Sequence, residues 1–394
     1  MTLVEPRWDV ARSALAAAVT PRPPVRLALS ECDGLVLAQE LRALIPLPPF
    51  DTSAMDGWAV AGEGPWSVTG LALAGQDRQA HLDRGQAVGI ATGGMVPASA
   101  DAVIRTEDGR LTQDGGSAVL AAPDPRGRSH VRPAGEECRA GEVLATAGEV
   151  VNPALIGLAA AAGHDDLLVV PRPRTALVLF GDELATQGLP PAGQVRDSLG
   201  PQLPAWLARM GVDVVAVDRA RDTLDAHVSA IRAAAVGADV ILTTGGTAAG
   251  PVDHLHAAVL ACSGELVVDS VAVRPGHPML AATVHDGTRW LVGLPGNPQS
   301  AVVALLSLGA PLLAGLAGRQ ALPRLARVTL ATAVGGPPRE DRLVLGTLHD
   351  STFHPGGHLG SGMLRGLAAA TGFAVLPPGG APAGAPVRWL PLPG

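Results

Sequence analysis

The sequence predicts a multidomain protein that combines an α/β part with β-rich parts. Three observations support this prediction. The chain has 394 residues, of which 47% are hydrophobic and 16% charged, so it can bury several cores. From Thr175 onwards, apolar strand-like runs alternate with helical patterns. Short apolar runs punctuated by glycine, proline and aspartate fill residues 43–140 and return after Leu322.

The N-terminal elements follow from local signals. An Ala- and Leu-rich helix is expected over 8–19 and is ended by the Pro-rich stretch 21–24. A second helix is expected from Ser30 to about Gln39. The β-rich segment comes next, and a helix over 152–162 begins with Pro153 at the favoured first position.

The α/β part alternates regularly. We expect strands over 175–179, 213–217 and 239–243, and helices over 200–210 and 224–236. Two further strands and a long helix after Gln299 complete it. Apolar strands separated by helices predict a parallel sheet covered on both faces, with ligands at the carboxyl ends of its strands.

Composition excludes several classes of protein. All 29 basic residues are arginine, so the chain has neither a Schiff-base lysine nor a P-loop lysine. Tyrosine is absent too, and asparagine occurs only at positions 152 and 297, which G/C-rich coding explains. The net charge of −7 argues against nucleic-acid binding. Three widely spaced cysteines exclude a disulfide framework or a cysteine zinc site and favour a reducing cytoplasm.

Two apolar stretches bear on membranes and export. Residues 14–19 lack a cationic leader, so the N-terminus does not resemble a signal peptide. Residues 301–318 carry no charge but contain glycines and Pro311 and follow a turn sequence, which favours a buried helix over a membrane span. We therefore expect a cytoplasmic protein without a membrane partner.

Three strand-to-loop segments could bind an anion. The turn 244–247 (TGGT) follows a buried strand, and its glycines let main-chain N–H groups approach a phosphate or carboxylate. Segment 270–278 places Arg274 and His277 on a Pro/Gly loop, where the arginine fork suits an oxyanion. Segment 293–300 is a rigid turn that enters a helix N-terminus. A plain tight turn or a solvated arginine would explain each segment taken alone.

Acidic residues follow two of the predicted strands. Asp182 and Glu183 come after the strand that ends at Phe180, and Asp253 follows the glycine turn. Carboxylates at such strand ends often hold a divalent cation that bridges to phosphate. Surface acids that cap helices are the alternative. In the β-rich segment, the polar, turn-like strings 49–60, 91–97 and 130–137 are unusual, although turn chemistry alone would account for them.

In this order and at these separations, the strings resemble the molybdopterin molybdenumtransferases, the MoeA family, whose relatives include the gephyrin E domain. The resemblance runs from about residue 43 to the C-terminus. Its most specific parts are 53–57 (SAMDG), Thr92-Gly93, 131–133 (VRP) with 135–136, 181–184 (GDEL), 293–298 (GLPGNP) and Ser300.

The resemblance implies an elongated subunit of four domains. They are a stalk (1–42 plus 141–170), a β-rich domain (43–140), a MogA-like three-layer α/β molybdopterin-binding domain (171–320) and a C-terminal β domain (321–394). It also implies a homodimer that inserts molybdate into adenylylated molybdopterin with Mg²⁺, releasing AMP. Other molybdenum cofactor biosynthesis proteins and apo-molybdoenzymes are further expected partners. By this analogy, the cleft lies between the α/β domain of one subunit and the β-rich domain of the other.

The same resemblance assigns the site residues. Catalytic roles fall on Asp56, Thr92, Glu183, Asp253, Arg274 and His277. The pterin substrate would be bound by Thr244, Gly245, Gly246, Thr247, Pro275, Gly276, Pro295, Gly296, Asn297, Pro298, Ser300, Arg132, Glu136 and Ser361. The metal would be held by Asp182, Glu183 and Asp253.

The chain departs from the family pattern mainly within this polar site. Phe180 replaces a threonine, and Ala248 and Pro251 replace a serine and a glutamate. Arg274 and His277 stand in place of two lysines; the arginine keeps the charge, whereas histidine is mostly neutral near pH 7 unless an anion raises its pKa.

Two questions stay open at this point. The family's C-terminal arginine corresponds to either Arg339 or Arg342. The function is a molybdenumtransferase with a modified site, a paralogue that only binds molybdopterin or a partner protein, or a molybdopterin adenylyltransferase-like enzyme, because the 244–247 turn also resembles that family.

Overall fold

The computed structural model describes residues 2–72, 75, 81–114, 116–125, 127–247 and 254–394. Its contacts divide the chain into two compact units. The first comprises Met1–Val25, Gly34–Val36 and Val170–Gly394, and the second comprises Arg26–Asp33 and Leu37–Val169. The boundaries of the four domains stay predictions.

A seven-stranded sheet forms the centre of the first unit. Its strands lie in the order Leu3–Val4, Glu265–Asp269, Leu280–Val284, Arg289–Leu294, Val240–Thr244, Arg174–Phe180 and Asp213–Ala220. The last four strands of this order are mutually parallel, but Leu280–Val284 runs antiparallel to both of its neighbours. The prediction of a parallel sheet is therefore confirmed for these four strands and wrong for Leu280–Val284. A loop of four residues joins Val284 to Arg289, and so short a connection permits only antiparallel pairing.

Helices cover both faces of this sheet. Trp8–Ala18, Leu199–Arg209 and the long helix that starts at Pro298 share a core with alternate strand residues such as Leu177 and Leu242. Leu224–Gly237 and Leu255–Ala261 pack with the intervening residues on the other face. The α/β arrangement predicted from the alternation of strands and helices is confirmed, with bounds that shift by a few residues.

The long helix consists of Pro298–Ala304, a π-helical turn Leu305–Gly309 and Ala310–Leu316. Pro311 has no N–H to donate to the carbonyl of Ser307, so a regular α-ladder cannot pass this point. The helix is long and apolar enough to cross a membrane, but 83% of its most apolar window is buried inside the protein. The interpretation as a buried helix is confirmed.

The C-terminal part of the first unit is a small β-structure. Its strand order is Val273–Arg274, Asp341–His349, Thr352–Pro355, Arg327–Leu330, Pro386–Pro391 and Gly372–Leu376. The last strand also pairs with Asp341–His349, so five strands close into a ring around Phe353 and Val344. Smaller elements are the strand pairs Val334–Gly335 with Gly380–Ala381 and Leu184–Ala185 with Val195–Arg196, and the helix Leu364–Ala369.

The second unit is built around a six-stranded sheet. Its order is Arg110–Asp114, Ser117–Ala121, Trp66–Ala72, Gln86–Ile90, Gly57–Ala61 and Ala102–Arg105. Smaller sheets pair Val131–Arg132 with Thr52–Ser53 and Val143–Ala145 with Leu41–Arg42, and a three-stranded sheet has the order Val25–Ala28, Asp166–Val170, Val36–Leu37. The helix Pro153–Ala161 begins at Asn152, whose side chain accepts a hydrogen bond from the Leu155 N–H.

The helix expected over 30–39 was wrong. Only a single 3₁₀ turn, Leu29–Glu31, forms there, and the chain then enters the strand Val36–Leu37. Gly34 has a φ of +74°, a left-handed conformation that interrupts a helix. The Asp33-Gly34 pair is thus a turn signal that outweighs the helical propensity of its neighbours.

Candidate functional site

Three parallel strands of the seven-stranded sheet end at one edge. They end at Phe180, Thr244 and Leu294, and each is followed by a glycine-containing turn. The Gly245 N–H donates to the Leu294 carbonyl at 2.9 Å, which ties two of these turns together. The sequence segments singled out above are therefore adjacent in space, at the edge where α/β sheets bind ligands.

A cavity of about 550 Å³ lies beside the third of these turns, the one after Leu294; we call it the basic cavity. Its lining combines the loop after Val273–Arg274, the start of the long helix and the small β-structure. The predicted site residues that line it are Arg274, Pro275, Gly276, His277, Pro295, Asn297, Ser300 and Ser361. Sequence reasoning thus named eight of the seventeen residues that line this cavity.

Two of the basic side chains of the basic cavity, Arg274 and His277, lie against carboxylates. Arg274 Nε lies 3.1 Å and 3.0 Å from the two carboxylate oxygens of Glu340. His277 Nε2 lies 2.9 Å from a carboxylate oxygen of Glu5. Arg342 lines the same cavity and donates to the Gly335 carbonyl. An anionic ligand would therefore compete with Glu340 for Arg274.

The start of the long helix is fixed by contacts to the 358–363 loop. The Gln299 N–H donates to the Ser361 carbonyl at 2.9 Å, and the Gln299 side-chain amide donates to the carbonyls of His358 and Met363 at 2.8 and 2.7 Å. Gln299 is almost fully buried. These bonds join the helix start to the loop that carries Ser361, and both Asn297 and Ser361 line the basic cavity.

A second cavity of about 550 Å³, which we call the turn cavity, opens at the strand ends. Its lining includes the predicted residues Glu183, Thr244, Gly245, Gly296, Asn297 and Pro298. Asn297 lines both cavities. Gly246 and Thr247 line neither cavity in the described part of the chain, and Thr247 packs instead near Gly293.

Phe180, one of the departures from the family pattern, lies beneath the glycine turn. Its ring stacks on the fully buried His227, with centroids 3.6 Å apart and an interplanar angle of 11°. A Cβ on Gly246 would come within 3.3 Å of the His227 ring. The Phe180 ring thus gives the glycine turn an aromatic support at this strand end.

The predicted metal residues are placed only in part. Asp182 pairs with Arg221 at 3.5 Å, and its N–H donates to Asp222 at 3.0 Å, while Glu183 lines the turn cavity. Asp253, like Ala248 and Pro251, lies outside the described residues. Within the described ranges, no group of three or more His, Cys, Asp or Glu side chains is arranged to hold a metal ion.

The remaining predicted residues belong to the second unit. Asp56 Oδ1 accepts hydrogen bonds from the Thr92 N–H at 2.7 Å and from its hydroxyl at 3.0 Å, and these two bonds lower the pKa of Asp56. Arg132 lies in a strand paired with Thr52, and the Glu136 N–H donates to the Pro133 carbonyl at 3.2 Å. Two hydrogen bonds therefore join Asp56 to Thr92.

Three family models match successive parts of the chain. They are the MoeA N-terminal region (domains I and II) over residues 7–163, a probable molybdopterin binding domain over 176–315, and the MoeA C-terminal region (domain IV) over 327–392. Molybdopterin molybdenumtransferase 2 of Mycobacterium tuberculosis is 34% identical over 373 residues, covering 90% of this chain and 91% of that protein. The chain belongs to the MoeA family.

Further MoeA-family proteins agree with this assignment. The molybdopterin molybdenumtransferase of Haemophilus influenzae is 31% identical over 340 residues, covering 83% of each chain. Two crystal structures of molybdopterin biosynthesis MoeA proteins from Pyrococcus horikoshii superpose with TM-scores of 0.82 and 0.75, at 24% and 19% identity. They cover 99% and 98% of this chain and 100% and 99% of their own. The predicted multidomain α/β and β fold is confirmed.

Sequence reasoning missed several residues of this MoeA-family site. Glu340 contacts Arg274, and Glu5 contacts His277. Gln299 fixes the start of the long helix. Of the two candidate arginines, Arg342 lines the basic cavity, whereas Arg339 is not among its lining residues. The only local signal was the position of Gln299 directly after the rigid turn; the carboxylates come from segments far away in the sequence.

Proposed function

We propose that this chain is a molybdopterin molybdenumtransferase, which inserts molybdate into adenylylated molybdopterin and releases AMP and molybdenum cofactor. Membership of the MoeA family supports this activity. The observation that carries it is the adjacency of the basic and turn cavities, which share Asn297 at the carboxyl edge of the sheet. Two adjoining cavities offer separate places for the pterin part and the phosphates of such a ligand.

Cations and main-chain groups would stabilise the phosphate charge. Arg274 and Arg342 are the arginines that line the basic cavity, and a guanidinium binds phosphate or molybdate oxygens through two donors. The turn at Gly245 and the N-terminus of the long helix present backbone groups to the same cleft. Charge that develops as the phosphoanhydride breaks would therefore meet fixed, oriented donors.

We further propose Mg²⁺ as the metal, held by Asp182, Glu183 and Asp253. These three residues offer only carboxylate oxygens, the donor type that fits Mg²⁺. When bound, the cation would neutralise phosphate charge near the bond that is cleaved. Of the two described members of this set, Glu183 lines the turn cavity.

Assembly and location are also proposals. We propose a cytoplasmic homodimer that receives its pterin from, and passes its product to, other molybdenum cofactor proteins and apo-molybdoenzymes. On the basis of the family resemblance, we also propose catalytic roles for Asp56 and Thr92 and substrate binding by Arg132 and Glu136. Light scattering coupled to gel filtration tests the dimer, and a monomeric mass at all concentrations would contradict it.

The activity is tested by AMP release. Purified protein is mixed with adenylylated molybdopterin, molybdate and Mg²⁺, and AMP is quantified with wild type, Arg274→Ala and Glu183→Gln. The matched control is Arg327→Ala, an exposed arginine that lines neither cavity. We expect release by wild type and the control and a loss of about tenfold or more in the two site variants.

Other outcomes distinguish the alternatives. Tight binding of the adenylylated pterin without AMP release above the protein-free rate would support a binding-only protein, whose cations are engaged by Glu340 and Glu5. Consumption of ATP with unmodified molybdopterin would support an adenylyltransferase. Equal rates in Glu183→Gln and wild type would remove that carboxylate from the site.

A further inference from the structure

A third cavity lies in the first unit, away from the residues of the proposed reaction. It has a volume of about 500 Å³, and its walls are mostly apolar, with Leu306, Leu313 and Trp389 among them. The helix Trp8–Ala18, the π-helical part of the long helix and the last strand contribute to it. A cavity of this volume and polarity is typical of small-molecule sites.

Arg12 is the feature that packing does not explain. Its side chain is 6% exposed, it lines the cavity, and its Nε has no hydrogen-bond partner among the described residues. The guanidinium stacks on the Trp8 ring at 4.4 Å. Burial lowers the pKa of Arg12 to about 10, so the group is still charged near pH 7. A buried cation without a hydrogen-bonding anion is costly unless a ligand supplies one.

The charge of Asp9 raises the pKa of Arg12 against the effect of burial, but no hydrogen bond joins the two side chains in the described part of the chain. Asp9, on the same helix, is engaged by Arg388, whose Nη1 lies 2.6 Å from its carboxylate. None of the lining residues in the described part of the chain is acidic, and two more arginines, Arg319 and Arg324, contribute to the wall. The cavity therefore combines an apolar body with an excess of positive charge.

We propose that this cavity is a binding site for a small organic anion, a carboxylate with an aliphatic or aromatic body. The carboxylate would accept hydrogen bonds from Arg12, and the apolar body would lie against Leu306, Leu313 and Trp389. This site goes beyond the proposed transferase reaction, because none of its lining residues lines the basic or the turn cavity.

The test compares two probes of equal length, octanoate and octanol, by isothermal titration calorimetry with the full chain. We expect octanoate to bind about tenfold or more tightly than octanol, since a charge-assisted hydrogen bond to a buried arginine forms only with the carboxylate. Arg12→Leu should remove this preference. The matched control, Arg327→Leu, removes an exposed arginine of the same unit that does not line this cavity and should preserve it.

A second variant keeps the test independent of Arg12. Ala314 lines the cavity, so Ala314→Phe should fill it and weaken both probes while leaving the charge in place. Circular dichroism verifies the fold of each variant. The proposal is overturned if octanoate does not bind or binds no better than octanol, if the preference survives Arg12→Leu, or if folded Ala314→Phe binds octanoate like wild type.

Discussion

Replacing Glu340 by glutamine removes the carboxylate that engages Arg274 and keeps the size of the side chain. Both oxygens of Glu340 lie within 3.1 Å of Arg274 Nε. Among the lining residues of the basic cavity, Arg274, Arg342 and Glu340 together carry one net positive charge, and Glu340→Gln raises this sum to two. We expect tighter binding of the anionic substrate.

The size of the effect follows from exposure and distance. Arg274 is 57% exposed at the side chain, so its charge is screened by solvent. In a solvent-like dielectric, one unit charge about 6 Å from a phosphate changes the binding free energy by about 1 kcal/mol. This corresponds to about a fivefold change in affinity. The exposed pair itself stabilises the fold by less than about 1 kcal/mol.

Kinetics of AMP release provide the assay. KM for adenylylated molybdopterin should fall about fivefold in Glu340→Gln, and the gain should shrink as salt rises. Glu31→Gln, at an exposed position in the second unit, is the matched control. A KM that is unchanged or higher in folded Glu340→Gln would refute the reasoning, because Glu340 would then position Arg274 for the substrate instead of competing with it.

Three further predictions concern stability, measured as the free energy of unfolding in denaturant. Gly276→Ala should cost about 1–3 kcal/mol, because φ is +103° and the new Cβ would lie 2.9 Å from Met279. Ser307→Ala should cost about 1–3 kcal/mol, because the Trp8 indole N–H, which donates to Ser307 Oγ at 2.8 Å, loses its buried acceptor. Asp51→Asn should flatten the acid side of the pH–stability curve. Hydrogen bonds from the Ala134 N–H and then from Arg128 lower the pKa of Asp51 below 3.8 in the folded protein. The carboxylate therefore adds to the free energy of unfolding above that pH, and this contribution is lost as pH falls through the folded pKa.

Controls separate these effects from general damage. Gly357→Ala adds a Cβ in open space at an ordinary φ and should leave stability unchanged, and a cost equal to that of Gly276→Ala would contradict the steric argument. Ser307→Thr keeps the hydroxyl, so it should lose less than Ser307→Ala if the hydrogen bond is the cause. For Asp51, an acid limb that is identical in wild type and variant would exclude the carboxylate as its source.

Local sequence patterns predicted the elements that local physics determines. The buried strand Val240–Thr244 is a short apolar run, and the helix Leu224–Gly237 begins where the Thr223 hydroxyl accepts a bond from the Ala226 N–H. The failures have local causes as well. Gly34 ends the helix expected over 30–39, and the short loop before Arg289 turns a strand antiparallel. Length of connection decides strand direction more strongly than apolar character does.

The candidate site also has residues that a local sequence pattern indicates and residues that it does not. Arg274, Asn297 and the glycine turns were found because each lies in a segment whose own turn chemistry indicates an anion. Glu340 was not found, because it lies 66 residues from Arg274 in the chain and meets it only when the small β-structure pairs with Val273–Arg274. A pattern within a few residues cannot report such a partner.

The absence of lysine acquires a physical meaning at this site. Arg274 keeps a positive charge where the family has a lysine, but its fork is also suited to a carboxylate, and Glu340 engages it. His277, at the second lysine position, lies against Glu5. Arg342 forms no ion pair within the described residues. We therefore expect substrate phosphate to depend on Arg342, on the strand Asp341–His349, at least as strongly as on Arg274.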